Sequence, residues 1–334
     1  MPAASTAARA VSTWVSKAQS RAIGRTEWAG FWILPTGTAT PYAIDLQLAD
    51  VPEVYRGESL QSRALVVDPA TSGVNPDKPV PFTWAYRDVG FPAVGGAASF
   101  DAANRGITPA LYQLVGGTAV QSRAGDLVRF DGTGPWFELL QTHSNGSLAV
   151  QFRGLGSSQG TSGQNPLNTP WPLEGVPHSY EILRQPVRSG ATFSFSDGRC
   201  IDLFWSGYAS TGSVPYQQFG LAPGSTVALP SQPIGILFDG NGRVRELFHQ
   251  GSRLAVEGTI FLLVGRVDRA GQPAVASLNA SDDSVGANWQ YGDSYWIAID
   301  PASGIARVAE CTVNAANPVA SQAFIRSQIV AGGR

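Results

Sequence analysis

Apolar residues recur at steps of three and four over the first two dozen positions, and mostly at steps of two afterwards. Ala7, Val11, Trp14, Val15, Ala18 and Ala22 share one face of a helix predicted over 7–22, with Lys17, Gln19, Ser20 and Arg21 on its other faces. Gly24 is the expected stop, and the cations of the last turns, Lys17, Arg21 and Arg25, oppose the negative end of the helix dipole. A strand over 27–34 follows, cut by Pro35-Thr36-Gly37, and 42–48 alternates as the next. Further strands are predicted over 126–130, 136–141, 147–152, 180–184, 191–195, 201–205, 225–229, 234–238, 244–248, 259–265, 294–299 and 305–309. The dipeptides Asp131-Gly132, Asp197-Gly198, Asp239-Gly240 and Asn241-Gly242 fit tight turns between them, so antiparallel sheets are expected.

Two stretches break this rhythm. Pro69, Pro76, Pro79, Pro81 and Pro92, with glycines between, make 52–110 read as a long surface insertion holding at most short strands at 65–67 and 82–86. Residues 109–115 fit a single helical turn. The Gly, Ser, Asn and Pro of 154–172 predict a second long loop, and 317–329 a short final helix using Ala320, Phe324 and Ile325. There is no internal repeat and no clear linker, so 27–334 reads as one body preceded by a helical segment over 1–26.

Composition excludes more than it assigns. With 23 basic and 25 acidic residues the net charge is −2, which gives no electrostatic case for nucleic acid or anionic lipid. No apolar run reaches the roughly 18 residues that cross a bilayer, so the sequence reads as soluble as given. Cys200 and Cys311 are too far apart for a CxxC motif; a disulfide and two unpaired buried thiols both fit.

Catalytic signals are weak. Gly156-Ser157-Ser158-Gln159-Gly160 matches a nucleophile elbow in letters, yet the residues after it cannot continue as the helix such an elbow needs. His143, His178 and His249 are scattered and read as ordinary surface residues. Asp282, Asp283 and Asp293, with Asn279 and Asn288, are the densest oxygen ligands, a calcium candidate against the plainer reading of turn residues; no other cofactor is implied. Of nine tryptophans, Trp14, Trp28 and Trp32 read as helix-on-sheet core, and Trp136, Trp205 and Trp296 as buried strand residues. Trp171 and Trp289 are the ones expected at the surface, where an aromatic ring can stack on a sugar or anchor a partner.

The order of elements, one small-residue helix ahead of a β-rich body, resembles the type IV pilin-like proteins, in particular the minor pseudopilins of type II secretion systems. The stretch 7–23 resembles the soluble half of that family's N-terminal helix. Residues 125–132 and 236–245 resemble its head strands and tight turns, and 296–304 with 306–308 its closing hairpin. The resemblance implies an α+β, mostly β fold in which the helix packs on a large antiparallel head, with Val11, Trp14, Val15 and Ala18 docking it. It implies a structural subunit and not an enzyme, with other pilin-like subunits and the inner membrane as partners and a periplasmic or extracellular head. The family's leader, processing site and apolar stem are missing here, so the sequence is expected to begin where that stem would end. The competing expectation is a secreted β-sandwich module that binds glycan or protein through Trp171 and Trp289.

Overall fold

The computed structural model describes residues 3–25, 28–37, 39–56, 63–67, 86–90, 113–115, 118–120, 126–142, 148–152, 171–173, 176–209, 216–221, 232–249, 252–256, 258–276, 278, 285–313 and 315–331. The chain is mostly β and divides into two compact units, Met1–Val51 with Pro186–Arg334, and Pro52–Gln185.

The first unit opens with α1 (Ala3–Ile23), β1 (Ala29–Pro35) and β2 (Tyr42–Asp50). The second unit then supplies β3 (Ala64–Val67), β4 (Tyr86–Gly90), β5 (Gln113–Val115), β6 (Thr118–Val120), β7 (Leu127–Phe130), β8 (Phe137–Thr142), β9 (Leu148–Phe152), β10 (Pro177–His178) and β11 (Tyr180–Leu183). The chain returns through β12 (Val187–Ser194), β13 (Arg199–Ala209), β14 (Tyr216–Gln218), β15 (Ile234–Phe238), β16 (Val244–His249), β17 (Ser252–Leu254), β18 (Ile260–Arg266), β19 (Tyr295–Ile299) and β20 (Ala306–Glu310). It closes with α2 (Pro318–Ser321) and α3 (Ala323–Ala331), where one continuous helix was expected.

The sheet of the first unit is antiparallel throughout, in the order β17-β16-β15-β1-β2-β13-β18-β19-β20, with β12 added on β2 and β14 on β13. Alternation gives it two apolar faces. Ala29, Phe31 and Ile33 of β1, Ile260, Leu262 and Val264 of β18, and Tyr295, Ile297 and Ile299 of β19 meet α1 in one core. Phe261, Leu263, Trp296 and Ala298 point the other way, to Trp289 and Ile325. Both faces of β18 and β19 are therefore covered, which is why these strands read as unbroken apolar runs. Ile325 is buried as expected, whereas Phe324 is 57% exposed.

The second unit corrects the single-body reading. The stretch expected as an insertion, together with strands expected in the head, forms a separate sheet ordered β10-β3-β4-β9-β8-β7-β11, while β5 and β6 form a hairpin of their own where a helical turn was expected. Its core is Ala64, Val66, Val89, Val128, Phe130, Phe137, Val150, Tyr180 and Ile182. The two ends of this order are one continuous stretch of chain. Pro177 and His178 pair with Leu65 and Ala64, Tyr180–Leu183 pairs with β7, and Tyr55 bridges Ile182. Among the described residues the sheet thus closes on itself, its first and last strands joined through Pro177–Leu183. The fragment ending in Asp131-Gly132 belongs here and not to the α1-bearing sheet. Both Asp131-Gly132 and Asp197-Gly198 take positive φ at both residues, with Phe130 O and Ser196 O accepting from the N–H three residues on, as tight turns of this kind require.

Candidate functional site

The docked face of α1 is a continuous buried stripe. Ala4, Ala8, Val11, Val15, Ala18 and Ala22 all have zero exposure, at steps of four, three, four, three and four. The stripe begins earlier than the predicted 7–22 and uses Ala8 where Ala7 was expected; Ala7 is half-buried. Small side chains bring the helix backbone close to the sheet, and it packs across β1, β15, β18, β19 and β20.

Of the four expected docking residues, Val11, Val15 and Ala18 are fully buried and Trp14 is half-buried at the margin. The Trp14 ring tilts against Phe193 of β12 at 6.0 Å, and the Lys17 ammonium sits 4.8 Å over its face. Trp28 and Trp32, expected beside it, do not join this core. Trp32 points to the opposite face, where Phe248 meets it edge-on at 5.8 Å, and Trp28 stacks under the Arg245 guanidinium at 5.2 Å. Register explains the swap: both faces of β1 are apolar, and Ala29, Phe31 and Ile33 won the helix side.

Polar clamps fix the C-terminal half of α1. The Gln19 amide donates to Gly242 O at 2.9 Å and to Ser303 O at 2.7 Å, joining the helix to two turns. These turns meet so closely that a Cβ on Gly304 would lie 1.9 Å from Gly242 O. Arg21 and Arg25 both bind Asp50, at 2.5 and 2.9 Å, so the predicted dipole cations act through a carboxylate at the end of β2. At the other end Ser5 and Arg9 line a groove of about 640 Å³ with Tyr295, Glu310 and Phe324.

The remaining candidates disperse. Trp289 is 2% exposed, not a surface ring: a short 3-10 turn, Asn288–Gln290, tucks it edge-on against Trp205 at 5.7 Å. Trp171 stacks on Phe137 at 4.2 Å and belongs to the core of the second unit. Trp296 is buried as expected, while Trp136 and Trp205 are half-buried, Trp136 beneath the Arg129 guanidinium. Ser158, His143, Asn279, Asp282, Asp283 and the strand expected over 225–229 lie outside the described residues. Asp293 is held by Arg269 at 2.7 Å and Arg199 at 3.7 Å, and Asn288 bonds Asp202; no group of three or more metal-binding side chains occurs among the described residues.

Two histidines depart from the surface reading. His249 is buried, its ring bonded to Phe219 O at 2.9 Å, and burial lowers its pKa. His178 contacts Asp131 at 2.6 Å and Leu173 O at 2.9 Å. Cys200 and Cys311 are both buried and free. Pairing sets Cys200 beside Gly265, Val264 opposite Tyr295, and Cys311 bonded to Ser294, so three strand spacings separate the thiols. That is about 14 Å, twice the reach of a disulfide. Burial pushes both thiols up.

Sequence reasoning missed Asp202, a fully buried carboxylate inside an apolar strand. It accepts from Trp205 N at 3.3 Å, from Gly271 N at 3.2 Å and from the Asn288 amide at 3.0 Å, while Ser206 Oγ donates to its carbonyl at 2.5 Å. Burial raises its pKa to about 6 against the opposing pull of those donors. The register shift between Asp202 and Gly207 is the local reason for the cluster, since a bulged strand leaves N–H groups that need an acceptor. The node ties β13 to the 3-10 turn and to Gly271, beside Leu263 of β18, as a structural anchor would.

No family model matches the chain, and no curated protein or solved structure matches it either. No described helix is long and apolar enough to cross a membrane.

Proposed function

We propose that this chain is a structural subunit of a pilin-like filament, of the minor pseudopilin kind, assembling through α1 with the β-rich body outward. The observation that carries the reading is the small-residue stripe of α1, buried along its whole length on one antiparallel sheet. A helix held this way leaves Thr6, Arg9, Thr13, Ser16 and Ser20 exposed on its outer side, where helices of neighbouring subunits pack in this proposal. Gln19 and Arg21, with Arg25 just beyond the helix, hold its C-terminal end, so pull on the forward end is carried into the sheet. Positioning of this kind needs no turnover chemistry. The competing glycan-binding module loses the support of its two named rings, since Trp289 is buried and one face of Trp171 is taken by Phe137.

The test is cysteine cross-linking in cells that express the native chain. Thr6→Cys and Thr13→Cys are expected to give ladders of cross-linked subunits, and an apolar segment of about 18 residues or more should be encoded ahead of Met1. Monomers only, with a polar segment encoded there, would remove the filament reading.

A further inference from the structure

The sheet of the first unit ends in several free strands, and all but one carry a device that blunts an edge. β17 and β14 are three residues long, and β12 shifts register between Ser189 and Thr192. β20 differs. It is five residues long, contains no proline or lysine, and pairs with β19 in unbroken register from Ala306 to Glu310.

Its outward groups can be assigned from the ladder. Asp300 N donates to Ile305 O and Cys311 N donates to Ser294 O, so the odd-numbered residues of β20 bond β19. The N–H and C=O of Ala306, Val308 and Glu310 therefore point away from the sheet and pair with no main-chain group among the described residues. Beyond that, Thr312 N turns to Ser321 O, which ends the free edge.

The edge forms the floor of the groove of about 640 Å³, a size within the usual range for ligand sites. Ser5 and Arg9 of α1 stand on one side, with Tyr295 donating to Glu310 at 3.2 Å; Phe324 stands on the other, with Cys311 below it. Ile305 and Val313, 51% and 52% exposed, flank the two ends, and Phe324 is exposed as well. Large apolar side chains gathered around an unpaired strand mark an interaction surface.

We infer that this groove binds an extended segment of another polypeptide, which adds as a strand to β20. Only a peptide backbone offers donors and acceptors at the repeat of the free groups on Ala306, Val308 and Glu310. Alternate side chains of that segment would meet Phe324 on one face and the hydroxyls and charges of Ser5, Tyr295, Arg9 and Glu310 on the other. This selects β-branched apolar residues alternating with hydroxyl residues. A second copy of β20 fits less well, because each copy brings its own α1 and α3 walls to the same narrow seam. The surface stands independently of the filament reading.

The probe is fluorescein-labelled Thr-Val-Thr-Val-Thr-Val amide, titrated against the full chain by fluorescence anisotropy, with its fully N-methylated form as control. Saturable binding is expected, weakened about tenfold or more by N-methylation, by Ala306→Pro and by Phe324→Glu. Ala306→Pro removes an outward N–H and spares the β19 ladder; Phe324→Glu alters an exposed side chain and serves if the proline variant loses its near-ultraviolet dichroism. Absence of saturable binding, or equal binding by the N-methylated peptide or by both variants, overturns the inference. So does a dimer of the protein alone in sedimentation that Phe324→Glu dissolves, since that gives the edge to a second copy.

Discussion

Among the described residues the sheet of the α1-bearing unit ends in free strands and is covered by helices on its faces; in Pro52–Gln185 the first and last strands meet on one stretch of chain. The open sheet buries Ala4, Ala8, Val11, Val15, Ala18 and Ala22 against one side and Trp289 and Ile325 against the other. The closed sheet encloses Phe130, Phe137, Val150 and Ile182 within itself. An open sheet can therefore accept a further element at its edge or carry a helix that belongs also to an assembly. A closed one leaves no unpaired ladder and offers only its side chains and loops. Under the filament proposal, the assembly role falls on the first unit.

Substitutions that break the two arrangements differ in kind. The largest effect is expected where a charge enters the helix–sheet seam: Val15→Asp, at a site of zero exposure, should cost about 4 kcal/mol or more in urea denaturation. In the closed sheet Ile182 donates to Tyr55 O at 2.7 Å, so Ile182→Pro should cost about 3 kcal/mol, read from the same denaturation curves. Asp202 gives a pH signature of similar size. Its pKa is raised in the folded state to about 6, so the protonated form is favoured by folding. Stability from this group is fully present below about pH 4 and falls by about 3 kcal/mol as the pH rises past 6. In Asp202→Asn that slope should vanish from stability curves measured between pH 4 and 7, with a cost of about 1–3 kcal/mol at pH 4 from donors left facing an amide.

Smaller effects sharpen the comparison. Trp14→Ala should cost about 1–2 kcal/mol, below the range for a fully buried ring, because the indole is half-buried between Phe193 and Lys17. Ala306→Pro should cost less than about 1 kcal/mol, since the N–H it removes faces away from β19. A proline is thus expected to be costly in the closing strand and cheap on the open edge. Equal costs in the two would contradict the assignment of β20 as a free edge.

The sequence carried the local features well and the long-range ones poorly. The α1 stripe was readable because a 3.6-residue period is a local signal, and most strands of the first unit followed from alternation bounded by Asp-Gly turns. Closure of the second sheet has no such signal. It depends on Pro177–His178 finding β3 and on Ile182 finding Tyr55, across more than a hundred residues, and its first strands are short and set among prolines. The side taken by Trp32 was illegible for another reason: β1 is apolar on both faces, so only pairing with β15 and β2 decides which face meets the helix. Trp289 sits among Asp and Asn that suggest an exposed loop, yet a 3-10 turn folds it inward. Asp202 was hidden because a single acid in an apolar strand gives no hint of the bulge that needs it.

Hydrogen–deuterium exchange of the main-chain amides of α1 in the native chain tests the central claim most directly. A helix docked along its whole stripe should exchange as slowly as β18 and β19, with protection running from about Ala8 to Ala22. Exchange of that segment at the rate of an unstructured peptide, while β18 and β19 stay protected, would contradict it.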